Sequence, residues 1–296
     1  MQNKTGLQAP AKWVGKKARL MPAIAKLMPA MFSKEPVPRF LNFKKGVGDF
    51  HDPFAGTGSA FLHFANGFKG DRQIYISDSN PDLVNLWKCI QQEPLELLYC
   101  LFKYKRTEAN TNEFYLIHRS WFNEIPLERC DPYTRAAMML YLIQACFNSL
   151  WRVNKSGGMN TPYGKQNRVI LPTENDLMAI AELLQKAVIR DQSFEEALKV
   201  VKPNDLVYLD PPYVEVNKNS FTKYTTKGFS RDQQILLRNE ADRLYDLGAF
   251  VYASNSDTAL TREIWSGWKT EELMRSGCMN SDATKRQSVK ELLFYR

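Results

Sequence analysis

Histidine is scarce in this 296-residue sequence, and its cysteines are few and unpaired. There are three histidines, and the five cysteines form no CxxC pair. Neither residue type shows the spacing of a zinc site, and an odd number of cysteines does not suggest a disulfide framework. We therefore expect no metal cofactor and a reduced, cytoplasmic compartment.

Long apolar runs and a secretory signal are also lacking. No run approaches the roughly 18 residues that a membrane span requires, and the segment after Met1 has no apolar core of the signal-peptide kind. What the sequence does have is a net charge of +8 together with 44% hydrophobic residues. This composition predicts a chain with a sizeable core, no membrane segment and a preference for a polyanionic partner.

Two successive strand–turn–helix patterns indicate the fold class. A strand at residues 50–51 leads into a glycine-containing turn at residues 52–58, and apolar residues at helical spacing follow the turn. A second short strand at residues 73–77 ends at Asp78 and precedes a helix predicted for residues 81–90. Because successive βα units pair their strands in parallel and cover the sheet with helices, the predicted fold class is α/β.

The pattern changes to helices between residues 93 and 173, where no alternating strand is found. Helices are predicted for residues 95–105, 113–121 and 134–150, before a loop rich in turn formers and charge at residues 154–165. The α/β pattern then returns with helices at residues 176–186 and 233–247 and strands at residues 206–209, 249–253 and 291–295. We predict one α/β domain formed by residues 1–92 and 174–296, with a helical insertion at residues 93–173.

The glycine turn at residues 52–58 predicts a ligand site at a strand end. Gly56 and Gly58 allow positive φ angles and close approach of a ligand to the backbone, and such turns lie where cofactors bind in parallel sheets. Asp78, at the end of the next strand, can accept hydrogen bonds from ribose hydroxyls. The full GxGxxG pattern fails because position 61 is Phe. A nucleoside without a pyrophosphate is therefore the better ligand.

A second motif, Asp210-Pro211-Pro212-Tyr213, follows the apolar strand at residues 206–209. The two prolines fix the backbone and remove two N–H donors, so that carbonyl groups remain as acceptors. A carboxylate beside such a carbonyl can hold both hydrogens of an exocyclic amine, which favours the pyramidal geometry in which the nitrogen is nucleophilic. The tyrosine supplies a flat face on which a base can stack. The motif therefore predicts chemistry on a base amino group.

These motifs resemble, in type and order, those of the alpha group of DNA amino-methyltransferases, and the chain looks like the Dam type within that group. The resemblance also covers residues 13–17, 254–258 and 289–293, and so spans roughly residues 10–295. It implies a seven-strand, Rossmann-like, S-adenosylmethionine-dependent methyltransferase sheet with a helical target-recognition insertion.

The resemblance also implies a cofactor and the residues that hold it. The cofactor would be S-adenosylmethionine, with S-adenosylhomocysteine as the product and no metal. The residues expected at the cofactor are Trp13, Lys17, Asp52, Phe54, Gly56, Gly58, Ser59, Asp78, Ser193, Phe194 and Asp210. Among these, Asp78 would hold the ribose, and Asp210 would contact both the cofactor and the target amine.

A third region, from Phe147 to Lys165, has the residue types of a reader of base edges. Arginine suits guanine, amides suit adenine, apolar side chains suit the thymine methyl group, and an aromatic ring can fill the gap left by an extruded base. The region resembles the Dam hairpin that contacts GATC sites. The residues expected at DNA are Lys12, Phe147, Asn148, Leu150, Arg152, Asn154, Pro162 and Lys165.

The predicted function is therefore methylation of adenine N6 in double-stranded DNA by base flipping, with GATC as the expected site. Two alternatives remain: an N4-cytosine methyltransferase, although such enzymes usually carry Ser where Asp210 stands, and a non-catalytic DNA-binding module of the same fold. A C5-cytosine enzyme is a poor match, because its nucleophilic Cys usually follows a Pro and no Pro-Cys dipeptide occurs. The sequence indicates no obligatory protein partner, and maintenance, restriction–modification and viral roles all stay open.

Overall fold

The computed structural model describes residues 10, 20, 21, 24, 46–65, 71–213, 229–275 and 289–296. Three residues expected at the cofactor or at DNA, Lys12, Trp13 and Lys17, lie outside these ranges.

Seven strands in the described residues form one mixed sheet in the order β3-β2-β1-β4-β5-β7-β6. The first five pair in parallel, and β7 runs antiparallel between β5 and β6. Their bounds are β1 Phe50–Asp52, β2 Ile74–Asp78, β3 Ala187–Asp191, β4 Leu206–Leu209, β5 Phe250–Ser256, β6 Lys269–Arg275 and β7 Val289–Tyr295. The predicted seven-strand α/β sheet is confirmed.

The described α-helices cover the two faces of this sheet and build the insertion. In chain order they are α1 Phe61–Ala65, α2 Pro81–Gln92, α3 Pro94–Leu101, α4 Asn112–Glu124, α5 Pro132–Ala145, α6 Glu174–Leu184, α7 Phe194–Ala197, α8 Arg231–Leu247 and α9 Ala259–Ile264.

The sheet separates two apolar clusters because successive side chains of a strand point to opposite faces. Leu206 and Tyr208 of β4 belong to the larger cluster, which also contains the buried residues of the insertion. Val207 and Leu209 of the same strand belong to the smaller cluster, which packs beneath α8. The alternation fixes the register of β4. Because β4 runs parallel to β1 and β5, the residues that follow Leu209 lie at the carboxyl edge of the sheet.

The insertion is helical as expected, with corrections to its helix ends. The helix predicted for residues 134–150 ends at Ala145, because Cys146 is extended and Asn148 and Ser149 have positive φ angles of 53° and 52°. The helix predicted for residues 95–105 is α-helical only to Leu101 and continues as a 3₁₀ turn to Lys105. Strands β3 and β6 were not predicted.

Candidate active site and candidate DNA interface

Four aspartates lie at the carboxyl edge of the parallel strands. Asp52 ends β1, Asp78 ends β2, Asp191 ends β3, and Asp210 directly follows β4. The strand order reverses between β1 and β4, and such a switch point is where α/β sheets bind their ligands. Asp191 was not expected, because β3 was missed; it lies opposite Asp78 in the parallel register.

The glycine turn is joined to Asp78 by hydrogen bonds. The N–H of Gly56 donates to Asp78 Oδ2 at 2.9 Å, and the N–H of Asn80 donates to Oδ1 at 2.9 Å. Each carboxylate oxygen has a further acceptor site, so these bonds leave Asp78 able to accept ribose hydroxyls. A Cβ at Gly58, where φ is +85°, would lie 2.8 Å from ring atoms of both Phe61 and Trp87. The tight packing of this turn therefore requires glycine at position 58.

Two of these aspartates, Asp52 and Asp78, lie in a desolvated, electronegative environment. Burial, together with the nearby charge of Asp210, raises the pKa of Asp52 to about 8. Burial also raises the pKa of Asp78 to about 6, although hydrogen bonds from the backbone of Asn80 and Gly56 oppose the shift. A cationic ligand would stabilise the ionised form of these carboxylates, so the site suits a positively charged molecule.

An aromatic cluster lies beside the acidic edge. The rings of Phe54 and Phe194 stack with centroids 5.5 Å apart, and Phe229 meets Phe54 edge-on at 5.8 Å. Ser193 caps α7 by accepting the N–H of Glu196 at 3.4 Å, which fixes the start of the helix that carries Phe194. Ser59 is partly buried in the glycine turn. The structure thus brings Phe54 and Phe194 together, and it adds Phe229, which was not expected.

The turn Asp210-Pro211-Pro212-Tyr213 is bonded to two distant elements. Gln234 Nε2 of α8 donates to the carbonyl oxygen of Pro212 at 3.0 Å. The hydroxyl of Tyr213 donates to Glu291 Oε2 of β7 at 3.0 Å. Neither Gln234 nor Glu291 was expected at the site. The sequence feature that could have indicated them is a polar residue on the otherwise apolar, buried face of a helix or strand.

The region after α5 is a short hairpin. The N–H of Asn160 donates to the carbonyl of Arg152 at 3.0 Å, and the N–H of Asn154 donates to that of Gly158 at 2.8 Å. Asn154 Oδ1 accepts the N–H groups of Ser156 and Gly158 at 3.0 and 2.9 Å. The Asn154 side chain therefore shapes the turn between the two arms.

Arg152 is held along one edge by Asn160. Its Nε donates to Asn160 Oδ1 at 2.7 Å, and its Nη2 donates to the carbonyl oxygen of Asn160 at 3.2 Å. Tyr115 Oη and Arg119 Nη1, both on α4, donate to the carbonyl oxygen of Thr161 at 2.8 Å each. These bonds fix the second arm of the hairpin to a helix of the insertion.

The other residues expected at DNA surround this hairpin. The N–H of Phe147 donates to the carbonyl of Pro162 at 2.9 Å, which brings these two residues together. Phe147, Asn148, Pro162 and Lys165 are exposed, and Leu150 is half-buried. Asn148 and Lys165 have positive φ angles of 53° and 51°. The surface therefore combines apolar, amide and basic groups.

In the described part of the chain, no three potential metal ligands come together, and no helix there has the length and apolar character to cross a bilayer. An acidic sheet edge at the switch point, an aromatic cluster and a Pro-Pro turn are features of an α/β enzyme with its ligand site at the carboxyl ends of the strands.

Comparison with known proteins gives the family. Residues 13–278 match D12 class N6 adenine-specific DNA methyltransferase. The Type II methyltransferase M1.LlaDCHI of Lactococcus lactis subsp. cremoris is 30% identical over 295 residues, which cover 99% of this chain and 96% of that protein. The DNA adenine methylase of Escherichia coli (strain K12) is 32% identical over 244 residues, or 82% of this chain and 84% of that one. The chain belongs to the D12 class N6 adenine-specific DNA methyltransferase family and methylates adenine in DNA.

Proposed function

We propose that the protein transfers a methyl group from S-adenosylmethionine to N6 of a flipped adenine in duplex DNA, at GATC sites. The observation that carries this proposal is the position of Asp210. It follows β4 at the switch point, close enough to Asp52 for its charge to raise the pKa of that residue, and it begins the Pro-Pro turn. A carboxylate so placed reaches both a cofactor pocket and a target amine.

The side chains at the carboxyl edge of the sheet fit the proposed cofactor. The sheet edge has carboxylates for the positive charges of S-adenosylmethionine, among them Asp52, which is 1% exposed. Asp78 accepts the ribose hydroxyls, and Phe54 and Phe194 lie against the adenine. Gly56, Gly58, Ser59 and Ser193 shape the pocket, and the resemblance assigns Trp13 and Lys17 to the same cofactor. When bound, the sulfonium supplies an activated methyl group, so the protein mainly contributes proximity and orientation.

The target amine is held by acceptors. The Asp210 carboxylate and the Pro211 carbonyl accept the two N6 hydrogens, and the adenine stacks on Tyr213. The carbonyl of Pro212 already accepts from Gln234, which supports Pro211 as the carbonyl for the amine. Because N6 is otherwise paired in the duplex, the adenine must leave the stack.

The hairpin reads the DNA. We assign residues 93–173 as the target-recognition domain, and residues 1–92 and 174–296 as the catalytic domain. Arg152 reads a guanine, and Phe147 fills the space of the extruded base. Asn148, Leu150 and Pro162 contact base edges, while Asn154 and Lys165 contact the flanking guanine or phosphates. The resemblance assigns Lys12 to the same contacts. The preference for GATC rests on the likeness of this hairpin to that of the Dam type.

The test is transfer of tritiated methyl from S-adenosylmethionine to duplexes that contain one GATC site. A matched duplex in which the site reads GTAC serves as the control, and the product nucleoside is identified by chromatography. We expect N6-methyladenine from the first duplex and a preference of about 1–3 kcal/mol per altered base pair. N4-methylcytosine as the product would overturn the assignment. DNA binding without transfer would indicate the non-catalytic module.

A further inference from the structure

A chain of buried hydrogen bonds ends on the Pro-Pro turn. Asn255 Nδ2 of β5 donates to Gln234 Oε1 at 3.0 Å, and Gln234 Nε2 donates to the carbonyl of Pro212 at 3.0 Å. The N–H of Ser256 donates to Asn255 Oδ1 at 2.9 Å. Gln234 and Asn255 are each 1% exposed. The carboxamides thus form one path from the centre of the sheet to the turn.

Burial of Gln234 needs a reason, because α8 packs with apolar side chains. Leu237, Ala241 and Leu244 of the same helix are fully buried in the smaller cluster. A buried amide without partners would be destabilising by about 1–3 kcal/mol, so Gln234 is tolerated at this position because both ends of its carboxamide are bonded. One of those bonds goes to the turn that handles the target base.

The bond to Pro212 controls the direction of Tyr213. The pyrrolidine rings fix φ of Pro211 and Pro212 near −65°. The ψ angle of Pro212 then sets where the chain goes next, and a hydrogen bond to the Pro212 carbonyl fixes that angle. Gln234 therefore determines the orientation of the peptide that leads into Tyr213.

Glu291 fixes the other end of the tyrosine. Its Oε2 accepts the hydroxyl of Tyr213 at 3.0 Å, and the residue is 1% exposed. Glu291 lies opposite Ser256 in the antiparallel register of β5 and β7. This hydrogen bond anchors the ring at its far end to the sheet.

We propose that Gln234 and Glu291 are positioning residues for adenine methylation. Gln234 orients the backbone between Pro212 and Tyr213, and Glu291 holds the tyrosine ring on which the adenine stacks. Neither residue touches the reacting atoms. This inference rests on the function proposed above for the turn at residues 210–213.

The test uses single-turnover methylation of a GATC duplex, with the dissociation constant of S-adenosylmethionine measured in parallel. Gln234→Met keeps the length of the side chain and removes both hydrogen bonds, and Gln234→Glu keeps an acceptor for Asn255 but removes the donor to Pro212. Since a displacement of about 1 Å in a site lowers rates roughly 100-fold, we expect about 10- to 100-fold slower transfer in both variants. Cofactor affinity should change less than about threefold, because the side-chain hydrogen bonds of Gln234 go to Asn255 and to the carbonyl of Pro212 and not to a residue assigned to the cofactor.

Gln234→Glu also gives a pH signature that a purely structural role would not produce. When protonated, the new carboxyl can again donate to the Pro212 carbonyl. The methylation rate of Gln234→Glu, relative to that of the unsubstituted enzyme, should therefore rise as the pH falls. The rate of Gln234→Met should show no such recovery. Gln185→Met, at an exposed position, is the matched control and should leave transfer unchanged.

Glu291 is tested through its partner. Glu291→Gln retains an acceptor, and its methylation rate should stay within about threefold of normal. The rate of Glu291→Met should fall by about tenfold. The double variant Glu291→Met with Tyr213→Phe should lose little more rate than either single variant, because both substitutions remove the same hydrogen bond.

The proposal is overturned by normal rates in the Gln234 variants, by equal losses in Glu291→Gln and Glu291→Met, or by additive effects with Tyr213→Phe. A loss of rate that merely parallels a loss of cofactor binding would also overturn it. Failure of the proposed function is distinguishable, because the unsubstituted enzyme would then transfer no methyl to adenine.

Discussion

The guanidinium of Arg135 makes two hydrogen bonds to the carboxylate of Asp82, from Nε to Oδ1 at 2.7 Å and from Nη2 to Oδ2 at 3.0 Å. Arg135 belongs to α5 of the insertion, and Asp82 lies in the first turn of α2. Arg135 Nη1 also donates to the carbonyls of Phe122 and Ile125 at 2.6 Å each. One buried side chain therefore joins the insertion to α2, the helix that directly follows β2 and its terminal Asp78.

Arg135→Met should destabilise the protein strongly. It leaves a partly buried carboxylate and two carbonyls without their donor, and loss of one partner of a buried ion pair typically lowers the free energy of unfolding by about 3–5 kcal/mol. Urea denaturation measures the change. Arg231→Met removes an exposed ion pair with Glu263 and should change the same free energy by less than about 1 kcal/mol. Equal effects of the two substitutions would contradict a special role for Arg135.

Asp210→Ala should lower turnover roughly 100-fold or more, because it removes an acceptor of the reacting amine. Affinity for duplex DNA should be nearly unchanged, since the hairpin is remote in sequence and intact. Single-turnover transfer and a DNA-binding titration separate the two effects. Near-normal turnover in this variant would refute the catalytic assignment.

Asp78→Ala should weaken binding of the cofactor more than binding of DNA. Loss of hydrogen bonds from ribose hydroxyls to a charged acceptor corresponds to about 1.5–3 kcal/mol, or at least a tenfold rise in the dissociation constant of S-adenosylmethionine. Calorimetric titration gives this constant. The reverse pattern, with DNA affinity falling more, would show that Asp78 does not hold the ribose.

The stability of the cofactor-free protein should depend on pH through Asp52. Its pKa is raised to about 8 when folded, against a usual value of 3.8, so the folded state binds more protons than the unfolded state between these values. Stability therefore falls as the pH rises through this range, by up to about 1.4 kcal/mol per pH unit. Because the pKa of Asp78 is about 6, the slope above that pH comes mainly from Asp52.

Urea unfolding at several pH values between about 6 and 8 measures this slope, and Asp52→Asn should flatten it. A slope that persists in the variant would assign the titration to another group.

Arg152→Ala should reduce sequence discrimination by about 1–3 kcal/mol at one base pair. Asn160→Ala should give part of the same loss, because Asn160 Oδ1 holds Arg152 Nε. Competition between GATC and singly substituted duplexes measures the loss position by position. Equal weakening on every sequence would mean that Arg152 binds phosphate.

Features with a local signature were predictable from the sequence. Asp78 is the last residue of its strand, and the turns that contain Gly56 and residues 210–213 each begin at a strand end. Their place at the sheet edge therefore depends only on the neighbouring residues. The end of α5 was missed because the chain reverses there through positive φ at Asn148 and Ser149, neither of which is glycine.

Other features depend on pairing between distant residues. Strand β3 is partly exposed and follows α6 almost at once, so residues 187–191 lack the apolar run by which β4 is recognised, and Asp191 was missed with them. Gln234 and Glu291 reach the active-site turn only through long-range packing of α8 and β7. Periodicity predicts which face a residue occupies, but not which distant polar group it meets.

The pairing of β3 with β2 has a consequence for folding. Chain from residue 79 to residue 186, including the whole insertion, lies between these neighbouring strands. Closing so long a loop is entropically unfavourable and slows folding, unless the intervening segment first becomes compact. The Arg135–Asp82 pair draws α5 to the start of α2, immediately after β2, and so shortens the effective loop. We expect the insertion helices to assemble before the sheet edge forms, and the carboxylates of β2 and β3 to meet last.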